Sequence, residues 1–182
     1  MTGQLFIVVG PSGVGKDTLL DAALVGCRNV RRVRRVVTRP ASAGGEDIVS
    51  GKTDKVWRMK GGGGVAVTWE GKGLWCGVSK EIDAMLSAGQ SVVFNGSRTE
   101  LDIAKKTYPD LKILSIEADH DILRGRLIAR GRETLDDIEH RLERAKIGVP
   151  TGPNVVRILN NGSLDQAVSE VIIALTQPVS NA

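Results

Sequence analysis

Apolar residues along the chain form short runs that are separated by stretches with helical spacing. The runs have the length of buried strands and lie at residues 5–9, 36–37, 91–94, 111–116 and 155–159. Helical spacing occurs at residues 17–25, 81–88, 119–129 and 135–146, and in a closing helix that ends at residue 175. Because strands alternate with helices, the pattern predicts an α/β fold with a five-stranded parallel sheet and helices on both faces.

Residues 38–80 interrupt this alternation. The segment is rich in glycine, with four in a row at residues 61–64, and such a composition cannot build a core by itself. It contains one strand-like run, at residues 65–69. We therefore expect a flap of about 38–80 that closes over a bound molecule. The arginine-rich stretch at residues 28–35 has no interleaved aromatic residues and is interpreted as a solvated face.

The first apolar run leads into a glycine-rich turn that is followed by the start of a helix. Gly10, Gly13 and Gly15 lack the side chains that would keep the backbone away from a phosphate group. Lys16 can reach the β- and γ-phosphates, so the loop is expected to bind the triphosphate end of a nucleotide. The candidate nucleotide-binding residues are Gly10, Pro11, Ser12, Gly13, Val14, Gly15, Lys16, Asp17 and Thr18.

Arginines flank a glycine between two of the predicted helices. Arg130 and Arg132 lie on either side of Gly131, and Arg141 follows on the second helix. This arrangement is typical of a lid, here at about 130–137, that places guanidinium groups on phosphates. The alternative is a plain helical hairpin whose charges are solvated.

Two polar residues directly follow the predicted strand at residues 91–94. They are Asn95 and Arg98. The carboxyl ends of the strands in an open α/β sheet line the ligand crevice. We therefore expect both side chains to lie where a substrate binds.

Composition narrows the choice of ligand and compartment. The 182 residues suit one domain, and a net charge of +4 with a pI of 9.3 favours small polyanionic ligands over nucleic acid. Cys27 and Cys76 are interpreted as buried thiols, and His120 and His140 as surface residues. The N-terminus has no basic leader region and no apolar run is long enough for a membrane span, so we expect a cytoplasmic protein without a membrane partner. A homodimer is left open.

Five motifs, in the order in which they stand, resemble the guanylate kinase branch of the P-loop nucleoside monophosphate kinases. They are GPSGVGKDTLL, TRP followed by Gly45 and Glu46, TWEGKGLWCGVS, RGRETLDDIEHRL and NNGSLDQAV. Within that branch the chain is most similar to the ribose 1,5-bisphosphate phosphokinases, through GPSGVGKD, TRPASAGGED, GVSKEID and NGSR. The resemblance covers about residues 3–176.

The resemblance implies a kinase that transfers the γ-phosphoryl group of ATP to the 1-phosphate of ribose 1,5-bisphosphate. The product would be 5-phosphoribosyl 1-diphosphate, in phosphonate breakdown. The expected ligands are ATP, Mg²⁺ and a small phosphorylated sugar. Catalytic roles are implied for Lys16, Arg130, Arg132 and Arg141, and substrate contacts for Arg39, Glu46, Asn95 and Arg98.

Departures from a guanylate kinase favour the sugar bisphosphate over GMP. Guanylate kinases usually carry a second arginine shortly after TRxP and a tyrosine beyond the Gly-Glu pair, whereas residues 41–43 and 47–50 contain neither. Two alternatives stay open. One is a guanylate kinase that acts on GMP; the other is a non-catalytic guanylate-kinase-like interaction module, which would typically have lost the loop lysine and the lid arginines.

Asp17 stands where such loops usually have a Ser or Thr whose hydroxyl meets Mg²⁺, and neutral Asn95 stands where the family has an aspartate. An anionic side chain beside a triphosphate is tolerable only with a divalent cation between them. We therefore assign Asp17 to Mg²⁺ coordination. The alternative is that Asp17 only caps the helix that begins here.

Overall fold

The computed structural model describes residues 3–33, 35–37, 48–50, 64–71 and 74–177. The strands in these ranges are β1 Leu5–Val9, β2 Val30–Arg32, β3 Arg35–Val37, β4 Ile48–Ser50, β5 Val65–Gly71, β6 Leu74–Ser79, β7 Ser91–Asn95, β8 Lys112–Glu117 and β9 Val155–Leu159. The α-helices are α1 Lys16–Gly26, α2 Glu81–Ser87, α3 Leu101–Thr107, α4 His120–Arg130, α5 Leu135–Ala145 and α6 Leu164–Thr176. A 3₁₀ turn, Arg98–Glu100, precedes α3.

Five strands form a parallel sheet in the order β2-β7-β1-β8-β9. Strand β1 is apolar and buried along its whole length, as expected for a central strand with a neighbour on each side. Val30 lies opposite Ser91 in the β2–β7 pair, and Ile113 lies opposite Val155 in the β8–β9 pair. The predicted α/β fold with a five-stranded parallel sheet is confirmed.

One strand assignment was wrong, because residues 36–37 belong to a second sheet. That sheet has the order β4-β3-β6-β5, and Val36 lies opposite Gly77 of the antiparallel strand β6. The fifth strand of the parallel sheet is instead β2, from the stretch interpreted as a solvated arginine face. Val30 is buried and Arg31 is exposed. Val30 thus faces inward and Arg31 faces outward, as in a half-buried edge strand.

The predicted flap at 38–80 is covered only in part by the described residues. Strands β4, β5 and β6 fall within it, and the strand predicted at residues 65–69 lies within β5. The β5–β6 pair is antiparallel, with Trp69 opposite Cys76. That this segment closes over a substrate stays a prediction.

The helices begin and end within one residue of their predicted positions. The exception is α3, which was not predicted. It has two turns, and only Leu101 and Ala104 of it are buried. Two apolar contacts at i and i+3 are too few to stand out as a helical pattern in the sequence.

The chain divides into two compact units, which share strand β1. The first consists of residues 1–7 and 29–111, and its buried core includes Ile7, Val78, Ile82, Val92, Val93 and Phe94. The second consists of residues 8–28 and 112–182, and its buried core includes Leu19, Leu20, Ile113, Ile116, Leu127, Ile138 and Leu142. Within the second unit α1 packs against α6, and α4 packs against α5 as a hairpin.

Helix α5 begins at a capping box. The Thr134 hydroxyl accepts a hydrogen bond from the Asp137 backbone N–H at 3.2 Å, and the Asp137 carboxylate accepts one from the Thr134 N–H at 3.3 Å. Hydrogen bonds from the Thr134 hydroxyl and then its backbone N–H lower the pKa of Asp137, and the positive charge of Arg141 lowers it further. The box fixes the point at which the chain turns from α4 into α5.

Thr134→Ala should lower the Tm at pH 7, because it removes the hydroxyl that caps α5 and supports the Asp137 carboxylate. A carboxyl group with a lowered pKa in the folded protein adds stability at neutral pH and loses it as the pH falls through that pKa. The difference in Tm from wild type should therefore shrink below the ordinary Asp range of about pH 4. Thermal unfolding of both proteins, followed by circular dichroism at pH 7 and again below about pH 4, measures the difference in Tm. The matched control, Thr134→Ser, keeps the hydroxyl; equal losses in the Ala and Ser proteins would contradict the capping role.

Candidate active site

The glycine-rich loop between β1 and α1 packs too closely against its neighbours to carry side chains at three positions. Gly10, Gly13 and Gly15 have φ angles of 153°, 86° and 94°, which residues with a Cβ rarely adopt. A Cβ on Gly10 would lie 2.3 Å from the Ile116 carbonyl oxygen, and one on Gly13 would lie 2.8 Å from Leu127 Cδ2. The backbone conformation of the loop therefore favours glycine at these three positions.

Lys16 begins α1 and reaches back across the loop. Its Nζ donates hydrogen bonds to the carbonyl oxygens of Gly10 and Pro11, each at 3.0 Å. The ammonium group is therefore fixed at the mouth of the loop, beside the N-terminus of α1. A helix N-terminus and a lysine at one place form a site for an anion.

The buried side of the loop is held at the carbonyl of Val14. Val14 is fully buried, and its carbonyl oxygen accepts a hydrogen bond from Asn160 Nδ2 at 2.8 Å. Arg126 Nη1 adds a longer contact with the same oxygen at 3.5 Å. Asn160 is itself buried, and its backbone N–H donates to the Glu117 carbonyl at 2.7 Å. The turn after β9 is thus a support for the loop.

Asp17 is the second residue of α1, and the N-cap of that helix is Gly15. Asp17 therefore does not occupy the capping position. Its carboxylate still lies in the first turn, where a negative charge interacts favourably with the helix dipole. Thr18, which follows it, is exposed.

Two of the predicted lid arginines converge on one carboxylate. Arg130 at the end of α4 donates through Nη2 to Glu133 Oε1, and Arg141 of α5 places Nη2 3.2 Å from the same oxygen. The other terminal nitrogen of Arg141 donates to the hydroxyl of Ser12, in the glycine-rich loop, at 2.9 Å. The loop and the hairpin are thereby joined through Arg141.

Arg132 lies apart from this cluster. It is exposed in the turn between α4 and α5, next to Gly131, whose φ of 62° ends α4. Arg130 and Arg141 are in contrast both partly buried. The structure thus brings together Ser12, Arg130 and Arg141, and leaves Arg132 at the surface.

The predicted substrate residues belong to the other unit. Asn95 is buried at the end of β7, and Arg98 opens the 3₁₀ turn that follows. Between them, a Cβ on Gly96 would lie 2.3 Å from Ile7 Cδ1, so this strand end requires a glycine. Arg39 and Glu46 lie outside the described residues.

Three residues of this arrangement were not among the predicted site residues. Glu133 stands three positions after Arg130, a spacing that favours an ion pair, but only the arginines were predicted to belong to the site. Asn160 and Arg126 act on a carbonyl more than a hundred positions away in the sequence. No local pattern could have indicated those contacts.

The cysteine predictions are confirmed, since Cys27 and Cys76 are both buried and neither is in a disulfide. Burial also raises the pKa of the Cys27 thiol, which makes a reactive thiolate unfavourable. The histidines are at the surface as predicted: His120 and His140 are both exposed. Neither residue type takes part in the contacts among Ser12, Arg130, Glu133 and Arg141.

No family model matches the chain, but the sequences of many curated proteins are similar to it. Ribose 1,5-bisphosphate phosphokinase PhnN of Rhizobium etli is 42% identical over 176 residues, which cover 95% of this chain and 89% of the relative. The protein of the same name from Pseudomonas fluorescens is 41% identical over 182 residues, covering 96% of each. A bifunctional ribose 1,5-bisphosphokinase-thymidine phosphorylase of Cupriavidus pinatubonensis is 36% identical over 96% of this chain and 29% of its own length.

Solved structures share the fold at lower identity. Guanylate kinase from Anaplasma phagocytophilum has a TM-score of 0.65 at 16% identity and covers 93% of this chain and 82% of its own. A gluconokinase from Sinorhizobium meliloti has a TM-score of 0.51 at 17% identity, covering 96% and 91%. These likenesses show the fold alone.

Asn160→Ala should lower the Tm and raise the KM for ATP several-fold, because it leaves the buried Val14 carbonyl without its short hydrogen bond and loosens the loop. Steady-state kinetics with varied ATP and thermal unfolding of the same samples measure both effects. Asn154→Ala is the matched control, since Asn154 lies before the other end of β9 and accepts from Lys112 Nζ at 2.6 Å. Asn154→Ala should lower the Tm and leave the KM for ATP unchanged. An unchanged KM for ATP in Asn160→Ala would show that the loop keeps its shape without this contact.

Proposed function

The chain belongs to the family of ribose 1,5-bisphosphate phosphokinases, and we propose that it transfers the γ-phosphoryl group of ATP to the 1-phosphate of ribose 1,5-bisphosphate. The products would be ADP and 5-phosphoribosyl 1-diphosphate, in phosphonate breakdown. The observation that carries the proposal is a glycine loop at a helix N-terminus whose carbonyls hold Lys16 and whose Ser12 hydroxyl binds Arg141, with Arg130 paired to Arg141 through Glu133.

The reaction needs positioning and charge neutralisation more than covalent chemistry. A 1-phosphate oxygen forms a bond to the γ-phosphorus of ATP, and the bond between that phosphorus and the β–γ bridging oxygen breaks. The attacking phosphate is already ionised at neutral pH, so no general base is required. Lys16 and the backbone N–H groups of the loop after Pro11 would bind the β- and γ-phosphates. Arg130 and Arg141 would stabilise the charge on the transferring group.

The donor set at the loop suits Mg²⁺ that is bound mainly through phosphates. Among the described residues, no group of three or more His, Cys, Asp or Glu side chains could hold a metal ion. Magnesium in kinases is usually held by one or two carboxylates together with phosphate oxygens and water. Asp17, in the first turn of α1, would supply that carboxylate. When bound, the ion would neutralise phosphate charge.

The acceptor would be held from the unit of residues 1–7 and 29–111. Arginine suits this task because its planar fork binds a phosphate through two hydrogen bonds. Arg39 and Arg98 would contact the sugar phosphates, with Glu46 and Asn95 beside the sugar. Arg132, on the exposed turn, is proposed to contact the phosphates as well. A cytoplasmic location is part of the proposal; no described helix has both the length and the apolar character to cross a membrane.

We expect ribose 1,5-bisphosphate to be a good acceptor and GMP a poor one, because the arginine and tyrosine with which guanylate kinases hold GMP are absent from residues 41–43 and 47–50. Phosphorus NMR of the protein with Mg-ATP and each acceptor in turn identifies the product. Lys16→Ala protein serves as the control for contaminating kinases. GMP turnover equal to that of the sugar would overturn the choice of acceptor.

Asp17→Asn should raise the Mg²⁺ concentration needed for the half-maximal rate several-fold, since an amide binds the ion more weakly than a carboxylate. Asp17→Ser with Asn95→Asp should recover part of the loss. Magnesium titration of the rate and thermal unfolding are to be measured on the same sample. A lower Tm with an unchanged Mg²⁺ requirement would mean that Asp17 acts only on the helix dipole.

A further inference from the structure

Glu133, in the turn between α4 and α5, is largely buried and forms ion pairs with two arginines. Its side chain is only 10% exposed, and its Oε1 accepts from both Arg130 and Arg141. Its other oxygen, Oε2, and the Nε of Arg130 are buried without a hydrogen-bond partner among the described residues. Burial of a carboxylate is unfavourable unless opposite charges compensate it, and here two do so at one oxygen.

The two guanidinium groups come from different helices. Arg130 is the last residue of α4, and Arg141 lies in the middle of α5. Two positive charges repel when they are brought to one place, so an anion must lie between them to fix them there. Glu133 is that anion. Since it stands in the turn between the helices, its position depends on the hairpin alone.

The cluster of Arg130, Glu133 and Arg141 also fixes where the two arginines lie relative to the glycine loop. Arg141 divides its two terminal nitrogens between Glu133 and the Ser12 hydroxyl. Glu133 therefore sets the orientation of a guanidinium group that already contacts the loop. Arg130 shares the same carboxylate oxygen and is held beside it.

We infer that Glu133 is a positioning residue for phosphoryl transfer, which holds Arg130 and Arg141 together beside the phosphate-binding loop. The inference rests on the proposed function. Glu133 itself would touch no reacting atom. It acts through the two arginines by fixing their separation and orientation before a phosphate arrives, so that little rearrangement remains for the transition state.

The hairpin supplies a matched control at its exposed side. Arg124 of α4 donates through Nε to Glu139 of α5 at 2.8 Å, and both side chains are about half exposed. Glu139→Gln thus removes one carboxylate that bridges the same two helices, but leaves the arginine cluster intact. Glu133→Gln removes the charge from the cluster itself, and Glu133→Asp keeps the charge on a shorter side chain.

Kinetics should separate positioning from simple stabilisation. For Glu133→Gln we expect kcat to fall at least about tenfold, because displacement of an orienting group by about 1 Å costs up to about 10²-fold in rate. The Kd for inorganic tripolyphosphate, measured by calorimetry, should change less than kcat, because the loss of a carboxylate strengthens the attraction of the site for an anion and offsets the cost of ordering looser arginines. Glu133→Asp should recover part of kcat, and Glu139→Gln should keep all of it.

Arginine side-chain NMR tests the inference without any turnover. The ¹⁵N–¹H nuclear Overhauser effects of the Arg130 and Arg141 Nε–H groups should report rigid side chains in the wild type and in Glu139→Gln, and mobile ones in Glu133→Gln. Rigid arginines in Glu133→Gln would overturn the inference. So would equal losses of Tm in the two Gln variants with kcat unchanged. A wild-type protein that does not phosphorylate ribose 1,5-bisphosphate would instead overturn the proposed function, and the NMR result would still decide the role of Glu133.

Discussion

The conformation of the glycine loop depends on close packing, which leaves little room for a Cβ atom at Gly10, Gly13 and Gly15. The backbone from Gly10 to Gly15 passes the Ile116 carbonyl, the Leu127 side chain and the Asn160 amide at distances that exclude a Cβ. This steric constraint forces positive φ angles at three glycines and turns the chain directly into α1. The N–H groups of the loop and the first turn of the helix then have a fixed direction. Ile116, Leu127 and Asn160, which make these close approaches, all belong to the second unit.

Positive charge is arranged around the loop in two ways. Lys16 is tied to the loop by two backbone carbonyls, so its position follows from the main chain. The arginines come from a separate hairpin and are tied to a carboxylate of that hairpin, with one hydroxyl of the loop as the link. Lys16 is therefore held by the loop itself, whereas the guanidinium groups are held mainly by a side chain of the hairpin.

Much of this was predictable from the sequence because the signals are local. The loop glycines, the lysine and the apolar run before them are contiguous, and the helix boundaries follow from periodicity and from glycines such as Gly131. Strand β2 was missed because three residues with one buried valine give a weak pattern beside five arginines. Asn160 and Arg126 were missed because their contacts with the loop cross most of the chain. Such contacts arise from the fold as a whole, so they leave no local trace.

The hydrogen bond between Asn160 and the Val14 carbonyl spans 146 positions in the sequence. During synthesis the loop leaves the ribosome first, whereas its buried carbonyl gains this partner only when the last strand of the sheet has joined. Contacts of such long range form late, since closing a long stretch of chain is entropically costly and parallel strands pair slowly. A nascent chain that ends before β9 therefore carries the complete nucleotide-binding motif without the support for its shape. Tight binding of a triphosphate would therefore require that β9 has paired with β8 and has brought Asn160 to the loop.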